Sequence, residues 1–453
     1  MMAMQLSDAA QVLKATYHGD DVMFRGISTD TRTLEQGNLF VALEGPNFDG
    51  HDYLEQAQRK GAVAAAVSHA DSDALPQLEV EDTRLALGAL AAHWRAQFDL
   101  PLVAVTGSNG KTSVKEMLAA ILRRCGDTLV TQGNFNNDIG VPHTLFGLSD
   151  KHRFAVVELG ANHAGEIAYL TSLARPTVAV INNAGPAHLE GFGSIAGVAR
   201  AKGELFEYAA DDTVCVINAD DDYADLWRSL AGARSVLSFG LDAGADVTAE
   251  WRGDVSGSDL QLIAAGAEAA TRIALPGRHN VMNALAATAA ALAMGIELTD
   301  IAAGIAAVQP VRGRWQTQPG LSGCRVIDDT YNANPASLEA GIELLSSSEG
   351  ETWLVLGDMG ELGGDSEALH RNVGKLARAA GVTRLFTLGD LAAQAAQAFG
   401  SGGESFTDIE AMKAALRPQV CEGINVLVKG SRTMRMERVV EALRGRAAER
   451  REH

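Results

Sequence analysis

The amino-acid sequence predicts an α/β protein of three domains with doubly wound, mostly parallel sheets. Two observations lead to this fold class. The chain has 453 residues, more than one hydrophobic core usually serves, and about 150 residues per domain suggests three domains. Short apolar runs alternate with helical patterns, which is typical of parallel strands covered by helices. These runs are LVAVTG at 102–107, FAVVELG at 154–160, TVAVINN at 177–183, TWLVLGD at 352–358 and INVLVKG at 424–430.

The sequence divides into three blocks. A smaller α/β block at residues 1–82 contains the segment STDTR, a central block at 83–312 begins with a helical stretch, and a third block at 313–453 begins in the loop VRGRW. Residues 242–273 show β-like alternation interrupted by Gly and Asp, so we expect a small antiparallel addition to the central block.

Composition limits the functional classes. Apolar residues make up 47% of the chain, but no apolar run approaches the ~20 residues of a membrane span, and the N-terminus does not resemble a secretory signal. We therefore expect a cytoplasmic protein without membrane insertion. The formal net charge of -19 opposes binding to nucleic acid. The four cysteines lack the paired spacing of zinc or redox sites.

The segment LVAVTGSNGKTSVKEML predicts a phosphate-binding loop between a buried strand and a helix. Gly107 and Gly110 permit a tight turn that brings backbone N–H groups against phosphate oxygens at the N-terminus of the helix. Lys111 can reach the terminal phosphates, and Thr112 can offer its hydroxyl to Mg2+. The expected nucleotide-binding set is Gly107, Ser108, Asn109, Gly110, Lys111, Thr112 and Ser113.

The loop is a variant of the common pattern, because Val105 stands where that pattern has its first glycine. The alternative is a glycine turn that only joins a strand to a helix. The helix itself is predicted to begin at Thr112 and to end before Gly126, because apolar residues recur on one face between these positions. That complete strand, turn and helix context favours nucleotide binding.

The loop TGSNGKTS resembles the Mur ligases and the related folylpolyglutamate synthetases, whose ATP loop reads TG-[ST]-x-GKT. Other segments similar to this family follow in order over nearly the whole chain. They are GNFNNDIGVP at 133–142, ELGANHAGEIAYL at 158–170, NNAGPAHLEGFGS at 182–194, ARAKGELF at 199–206, LPGRHNVMNALAA at 275–287, DDTYNANPASL at 328–338, LGDMGELG at 356–363 and VKGSR at 428–432. The resemblance implies a central P-loop domain, a C-terminal Rossmann-like domain and an ADP-forming ligase that makes an amide through an acyl phosphate.

Within the family, GANH, AHLEGFGS and YNANP resemble the branch that joins D-alanyl-D-alanine to UDP-MurNAc-tripeptide in peptidoglycan synthesis. The DNPR-type motif expected of the diaminopimelate-adding branch is absent from the sequence. The resemblance implies that both substrates are small molecules, and we expect a monomer. Another ligase of the superfamily, or an ATPase that forms no bond, remains an alternative.

The resemblance implies two Mg2+ sites. Glu158 and His188 follow apolar strands, at the edge where doubly wound sheets bind ligands, and with Thr112 they are the expected metal ligands. Lys202 matches a family lysine that is carbamylated and helps to hold the second ion. Lys111, His188 and Lys202 are therefore the expected catalytic residues. Without the resemblance, His188 would be a structural histidine and Lys202 a surface lysine.

Further ATP contacts are also implied by the family. Asn280 in GRHN resembles the residue that meets adenine, Asp329 resembles a carboxylate near the ribose, and Arg314 matches a hinge arginine that reaches the phosphates. Arg312 stands where a proline is expected, so the hinge departs from the family pattern at this position. The alternative for Asn280 is a polar helix start.

The remaining expected site residues concern the two substrates. STDTR resembles the segment that meets UDP, GNFNND suits a phosphate and peptide substrate, YNANP suits presentation of the dipeptide, and KGSR suits its carboxylate, which an arginine can bind in a bidentate manner. The alternative is a turn or helix cap for STDTR, a turn for YNANP and a helix start for KGSR. The residues are Ser28, Thr29, Asp30, Arg32, Asn134, Asn136, Asn137, Asn332, Asn334, Lys429 and Arg432.

Overall fold

The computed structural model describes residues 2–70, 75–187 and 189–444. Its N-terminal part contains a five-stranded sheet of order β2-β9-β8-β5-β4, in which only β2 runs antiparallel to its neighbour, and two small hairpin-like pairs, β1 with β3 and β6 with β7. The elements are β1 Ala3–Gln5, α1 Leu6–Leu13, β2 Thr16–His18, β3 Met23–Arg25, β4 Ile27–Ser28, β5 Leu39–Val41, β6 Glu44–Gly45, β7 Phe48–Asp49, α2 Leu54–Arg59, β8 Ala64–Val67 and β9 Gln77–Glu79.

The central part is a nine-stranded sheet of order β11-β12-β10-β13-β14-β15-β16-β17-β18, parallel from β11 to β16. Its inner strands are apolar on both faces because helices cover both sides. The elements are α3 Thr83–Arg95, β10 Leu102–Thr106, α4 Lys111–Leu122, β11 Thr128–Val130, α5 Gly140–Phe146, β12 Phe154–Glu158, α6 Glu166–Ala174, β13 Val178–Ile181, α7 Leu189–Phe192, α8 Ile195–Glu207, β14 Val214–Asn218, α9 Ala224–Ala231, β15 Val236–Phe239, β16 Val247–Asp254, β17 Gly257–Ala264, β18 Ala267–Ile273, α10 Arg278–Ala293 and α11 Leu298–Ala306.

The strands β16, β17 and β18 form an antiparallel extension at one edge of the central sheet. This confirms the antiparallel addition expected from the alternation in residues 242–273. The strand β16 also pairs in parallel with β15 through Phe239 and Val247, so the addition is continuous with the main sheet.

The C-terminal part is a six-stranded sheet of order β19-β20-β24-β21-β22-β23, parallel except at its β19 edge. Helices on both faces bury two separate apolar clusters, as in a doubly wound fold. The elements are β19 Gln316–Pro319, β20 Arg325–Asp329, α12 Pro335–Ser346, β21 Glu351–Gly357, α13 Ser366–Ala379, β22 Arg384–Leu388, α14 Ala392–Phe399, β23 Gly403–Phe406, α15 Ile409–Leu416, β24 Ile424–Lys429 and α16 Glu437–Leu443.

The helix α3 joins the N-terminal and central parts. Leu87 and Leu90 pack into the N-terminal core, whereas Ala91 packs into one face of the central core. Asp82 caps the helix by accepting hydrogen bonds from the N–H groups of Arg84 and Leu85, which fixes where the helix begins. Among the described residues, no helix is long and apolar enough to cross a membrane.

Candidate active site

The phosphate loop connects the buried strand β10 to the helix α4. Gly107 and Gly110 have φ values of +151° and +80°, conformations that favour glycine. A Cβ atom at Gly110 would also lie 2.2 Å from Oδ1 of Asn283 and 2.4 Å from Nδ2 of Asn182. The predicted strand, turn and helix are confirmed, although the helix begins one residue earlier than expected, at Lys111.

The ammonium of Lys111 folds back over the phosphate loop. Its Nζ donates to the carbonyl oxygens of Gly107 at 2.6 Å and Ser108 at 3.4 Å. Desolvation lowers the pKa of Lys111, the positive charge of Arg314 lowers it further, and Glu158 opposes this shift. Two carbonyl oxygens compensate a desolvated cation only in part, so the loop is suited to an anionic ligand such as a phosphate.

Glu158 lies at the end of β12 and is 2% exposed. Its Oε2 accepts a hydrogen bond from the Thr112 hydroxyl at 2.9 Å, and its Oε1 accepts one from Nδ2 of Asn136 at 2.8 Å. A hydroxyl and a carboxylate are the oxygen donors that Mg2+ prefers. The donor set therefore fits the expected ion beside the phosphate loop.

Arg314 reaches the phosphate loop from the start of the C-terminal part. Its Nη2 donates to Oγ1 of Thr112 at 2.9 Å, and its guanidinium carbon lies 4.3 Å from the centroid of the Tyr331 ring. The preceding Gly313 has a φ of +75°, and its carbonyl accepts from the N–H of Tyr331. Nε of Arg314 is buried without a hydrogen-bond partner within the described ranges, which leaves one donor for a ligand.

Asn334 makes a second contact between the C-terminal part and the phosphate loop. Its Nδ2 donates to Oδ1 of Asn109 at 2.7 Å, while its Oδ1 caps α12 by accepting from the N–H of Ser337. The Asn334 side chain therefore caps the helix and contacts the phosphate loop at the same time. The cap holds the side-chain amide of Asn334 in a fixed direction.

Lys429 lies at the end of β24 and is buried. Its Nζ forms an ion pair with Oδ2 of Asp329 at 2.6 Å and donates to the carbonyl of Asn332 at 3.0 Å. The charge expected to bind a dipeptide carboxylate is thus already paired with a carboxylate of the neighbouring strand. The guanidinium of Arg432 is mostly exposed and lies 3.3 Å from Glu437, so it is the more accessible cation of the two.

Asn280 stands in the first turn of α10, where its Nδ2 donates to the carbonyl of Pro276 at 2.8 Å. Its Oδ1 accepts from Asn283, whose own Oδ1 accepts from Nδ2 of Asn182 beside the phosphate loop. Neither Asn283 nor Asn182 was predicted from the sequence as a site residue. Asn283 lies three residues after Asn280 and therefore on the same face of the helix, and this spacing is the feature of the sequence that could have indicated it.

Lys202 lies on α8, which begins after a Ser194 cap. It is 2% exposed, and within the described ranges its Nζ has no hydrogen-bond partner, although it lies 5.6 Å from the Phe192 ring centroid. Burial and then the charge of Lys111 lower its pKa to about 7. His188, the other residue expected at the second metal, lies outside the described residues.

Most of the expected site residues line one cavity of about 500 Å³ between the central and C-terminal parts. The cavity brings the phosphate loop, the GNFNND loop, the YNAN loop and KGSR together. The expected residues that line it are Ser108, Asn109, Gly110, Lys111, Thr112, Ser113, Asn134, Asn136, Asn137, Glu158, Asn280, Arg314, Asp329, Asn332, Asn334, Lys429 and Arg432.

The STDTR segment does not line this cavity. Arg32 donates to both carboxylate oxygens of Asp30, and the Ser28 hydroxyl donates to the Asp30 carbonyl. Thr29 reaches the central part, where its hydroxyl lies 3.0 Å from Nε2 of His143. Gly107 and Lys202 also do not line this cavity.

Family models match three consecutive segments of the chain. The Mur ligase family catalytic domain matches residues 23–95, the Mur ligase middle domain matches 105–291, and the Mur ligase glutamate ligase domain matches 313–432. The three matches follow the order of the three large sheets.

Curated relatives match at full length. The chain is 46% identical to the UDP-N-acetylmuramoyl-tripeptide--D-alanyl-D-alanine ligase of Escherichia coli K12, over 98% of this chain and 99% of that protein. It is 34% identical to the ligase of the same name from Bacillus subtilis, again over 98% of this chain and 99% of the relative.

Solved structures agree with these matches. The MurF protein of Acinetobacter baumannii superimposes with a TM-score of 0.93 at 36% identity, covering 97% of this chain and 98% of that one. The MurF ligase of Thermotoga maritima, solved in complex with ADP, superimposes with a TM-score of 0.84 at 28% identity, covering 92% and 96% of the two chains.

Proposed function

Because this chain belongs to the Mur ligase family, we propose that it joins D-alanyl-D-alanine to UDP-N-acetylmuramoyl-tripeptide with ATP, releasing ADP and phosphate. The product is UDP-N-acetylmuramoyl-pentapeptide, a precursor of peptidoglycan. Identity of 46% that extends over nearly the whole of both chains supports the same reaction as that relative, rather than only the same fold.

The observation that carries this proposal is the single cavity in which residues from the central and C-terminal parts meet. Arg314 and Asn334 both contact the phosphate loop across this cavity. A ligase must bring a phosphoryl donor, a carboxylate and an amine together while it excludes water from the reactive intermediate. An ATPase without a coupled acceptor does not need the additional polar loops that line this space.

In the first step, a carboxylate oxygen of the tripeptide attacks the γ-phosphorus of ATP and ADP leaves, which gives an acyl phosphate. Charge on the transferred phosphoryl group is the main obstacle to this step. Lys111 and the free Nε–H of Arg314 are the donors placed to neutralise that charge. Asn136 and Asn137 line the same cavity, and the proposal places the attacking carboxylate beside them.

In the second step, the amine of D-alanyl-D-alanine attacks the acyl carbon. The tetrahedral intermediate then expels phosphate, the amine loses a proton, and the amide forms. Asn332 and Arg432 line the cavity from the C-terminal part, where they are suited to orient the dipeptide. Lys429 supports this wall indirectly, because its ammonium holds the Asn332 carbonyl and the Asp329 carboxylate together.

Mg2+ would be held by Thr112 and Glu158, with His188 and Lys202 proposed at a second site. When bound, the ion supplies charge neutralisation for the phosphate oxygens. The proposed carbamate on Lys202 is supported by the side chain's burial and by its lowered pKa of about 7, because only a neutral amine combines with carbon dioxide.

The proposed domain boundaries follow the sequence blocks 1–82, 83–312 and 313–453. Support comes from the Asp82 cap before α3 and from the turn at Gly313.

The described residues of one chain line the cavity, which supports a monomer as the working unit. A cytoplasmic location is proposed on the same basis as the reaction, since ATP and the UDP-linked precursor are its substrates.

The test is phosphate release by the purified protein with ATP and Mg2+, with each substrate supplied alone and then both together. Release that requires both substrates, with the UDP-pentapeptide identified by mass spectrometry, is the expected result. Diaminopimelate and L-glutamate serve as alternative amine acceptors and test for a different ligase of the superfamily. Release that is indifferent to every acceptor would identify an uncoupled ATPase.

A further inference from the structure

Lys115 is one of the largest fully buried side chains of the protein, and no step of the proposed reaction uses it. It lies on α4, four residues after Lys111, so both lysines project from the same side of the helix. A buried ammonium is costly unless it is paired and hydrogen-bonded. Its partners therefore indicate what the charge does.

The ammonium of Lys115 contacts three groups. Its Nζ donates to the carbonyl of Gly133 at 3.1 Å, and it lies 3.3 Å from Oε1 of Glu116 and 3.8 Å from Oε2 of Glu158. Glu116 is its neighbour on the helix, whereas Gly133 and Glu158 belong to other segments. One cation thus connects the helix of the phosphate loop, the end of β12 and the GNFNND loop.

The position of the Gly133 contact matters because it lies in the exposed part of that loop. Thr131 and Asn136 attach the two ends of the loop, since Thr131 Oγ1 accepts from the N–H of Glu158 and Asn136 Nδ2 donates to its carboxylate. The residues between them are exposed, and a Cβ atom at Gly133 would meet nothing within 4 Å. The Lys115 ammonium is the side-chain anchor of this middle stretch.

Asn134, in the middle stretch, and Asn136 both line the cavity. Thr112 and Lys115 approach the same oxygen of Glu158, so the nucleotide side and the loop side of the cavity share one buried carboxylate. A loop held in this way keeps a fixed distance from the phosphate loop. Loss of the anchor leaves the nucleotide contacts in place but frees the loop.

We propose that Lys115 is a positioning residue which anchors the GNFNND loop to Glu158 and so sets where the carboxylate-bearing substrate lies relative to the phosphate loop. This inference rests on the proposed function for the identity of that substrate, the UDP-linked tripeptide. The anchoring itself is a property of the unliganded protein.

The first measurement is amide hydrogen exchange of the unliganded wild-type protein and of Lys115→Met, which keeps the apolar stem and removes the charge. Peptides covering 131–137 are expected to exchange about tenfold faster in the variant, because the hydrogen bonds from Phe135 to Gln132 and from Asn136 to Asn134 open more often. Peptides covering 102–112 are expected to change less than threefold. Lys375→Met, at an exposed position on α13, is the matched control.

The second measurement separates positioning from a general structural role. In Lys115→Met the KM for the UDP-tripeptide is expected to rise about tenfold, while the KM values for ATP and D-alanyl-D-alanine stay within threefold of the wild type. Lys115→Arg keeps the charge and the donors and is expected to recover most of the loss. Damage to the whole fold would instead raise all three values together.

Unchanged exchange at 131–137 in a folded Lys115→Met protein overturns the proposal, as does an equal rise in all three KM values. If Lys115→Met does not fold, Lys115→Gln gives the same comparison. Glutamine is neutral, and its side chain is one atom shorter than that of lysine. Failure of the proposed function is recognised separately. In that case the wild type makes no UDP-pentapeptide, whereas the exchange experiment still reports on the anchor.

Discussion

The phosphate loop and the STDTR segment are both short polar motifs that the sequence marks as binding elements, but their surroundings differ. Lys111 lies in a desolvated loop and is held by two backbone carbonyls, without a direct carboxylate partner in the described structure. The side chain of Arg32 is 85% exposed and is already paired with both carboxylate oxygens of Asp30. A ligand anion therefore gains more from Lys111 than from Arg32.

The difference follows from where each motif lies in the fold. The phosphate loop leaves the carboxyl end of a central parallel strand, where covering helices exclude water and where ligands of doubly wound sheets bind. STDTR follows the edge strand β4 of the five-stranded sheet, where water screens its charges. Substitutions at the first site should therefore have large effects on the reaction, and substitutions at the second should have small ones.

The largest effect is expected for Lys111→Met. Loss of the ammonium removes charge neutralisation from the transferred phosphoryl group, so kcat/KM should fall by about 10³-fold. Coupled phosphate release measures this change, and Lys375→Met serves as the exposed control. A variant that keeps a tenth of the wild-type activity would show that Lys111 does not contact the reacting phosphate.

A smaller loss, about 10²-fold in kcat, is expected for Arg314→Lys. The substitution keeps the charge, but a lysine cannot stack on Tyr331 and reach Thr112 with a planar fork of donors. Arg312→Lys is a matched control two residues away, because Arg312 is 73% exposed and pairs with Glu441. Equal losses of kcat in the two variants would mean that the contacts of Arg314 with Thr112 and Tyr331 do not contribute specifically to the reaction.

The proposed carbamate on Lys202 predicts a pH effect of roughly tenfold. With a pKa of about 7, the neutral amine falls from about 0.9 of the population at pH 8 to about 0.1 at pH 6. Carbon dioxide adds to the neutral amine with release of a proton, so at equal dissolved carbon dioxide the carbamate decreases at least as steeply as the neutral amine when the pH falls. Carbon-13 NMR of protein incubated with labelled bicarbonate measures it, and subtraction of the Lys202→Met spectrum removes signals from other amines. A difference signal that is absent at pH 8 excludes the carbamate.

The sequence predicted the elements whose chemistry is local. The strand, glycine turn and helix around Lys111 follow from residue types at fixed spacing, as does the antiparallel extension after β15. Lys115 illustrates what a sequence cannot provide. Its partner Gly133 is 18 residues away and contributes a backbone carbonyl. Every residue has such a carbonyl, so the residue type at position 133 does not indicate the contact.

Pairing between distant charges was also invisible in the sequence. KGSR suggested two cations for a substrate carboxylate, but Lys429 forms an ion pair with Asp329, 100 residues earlier, because β20 and β24 are neighbours in the sheet. Likewise, Asn334 fits its predicted turn chemistry as the cap of α12, yet its contact with Asn109 depends on how two parts of the chain pack together. Strand order and packing, rather than motif identity, determine these contacts.

The smallest effect is expected for Arg32→Ala in the STDTR segment. Water screens the exposed ion pair with Asp30, so its loss should barely change the melting temperature. If Arg32 binds the UDP diphosphate, loss of this contact raises the KM for the UDP-tripeptide about fivefold and leaves the KM for ATP unchanged. Steady-state kinetics with each substrate varied in turn measures both values, with Arg59→Ala, in another exposed ion pair of the N-terminal part, as the control. An unchanged KM for the UDP-tripeptide would mean that the segment is only a locally satisfied turn, and that the diphosphate is bound elsewhere on the surface between the N-terminal and central parts.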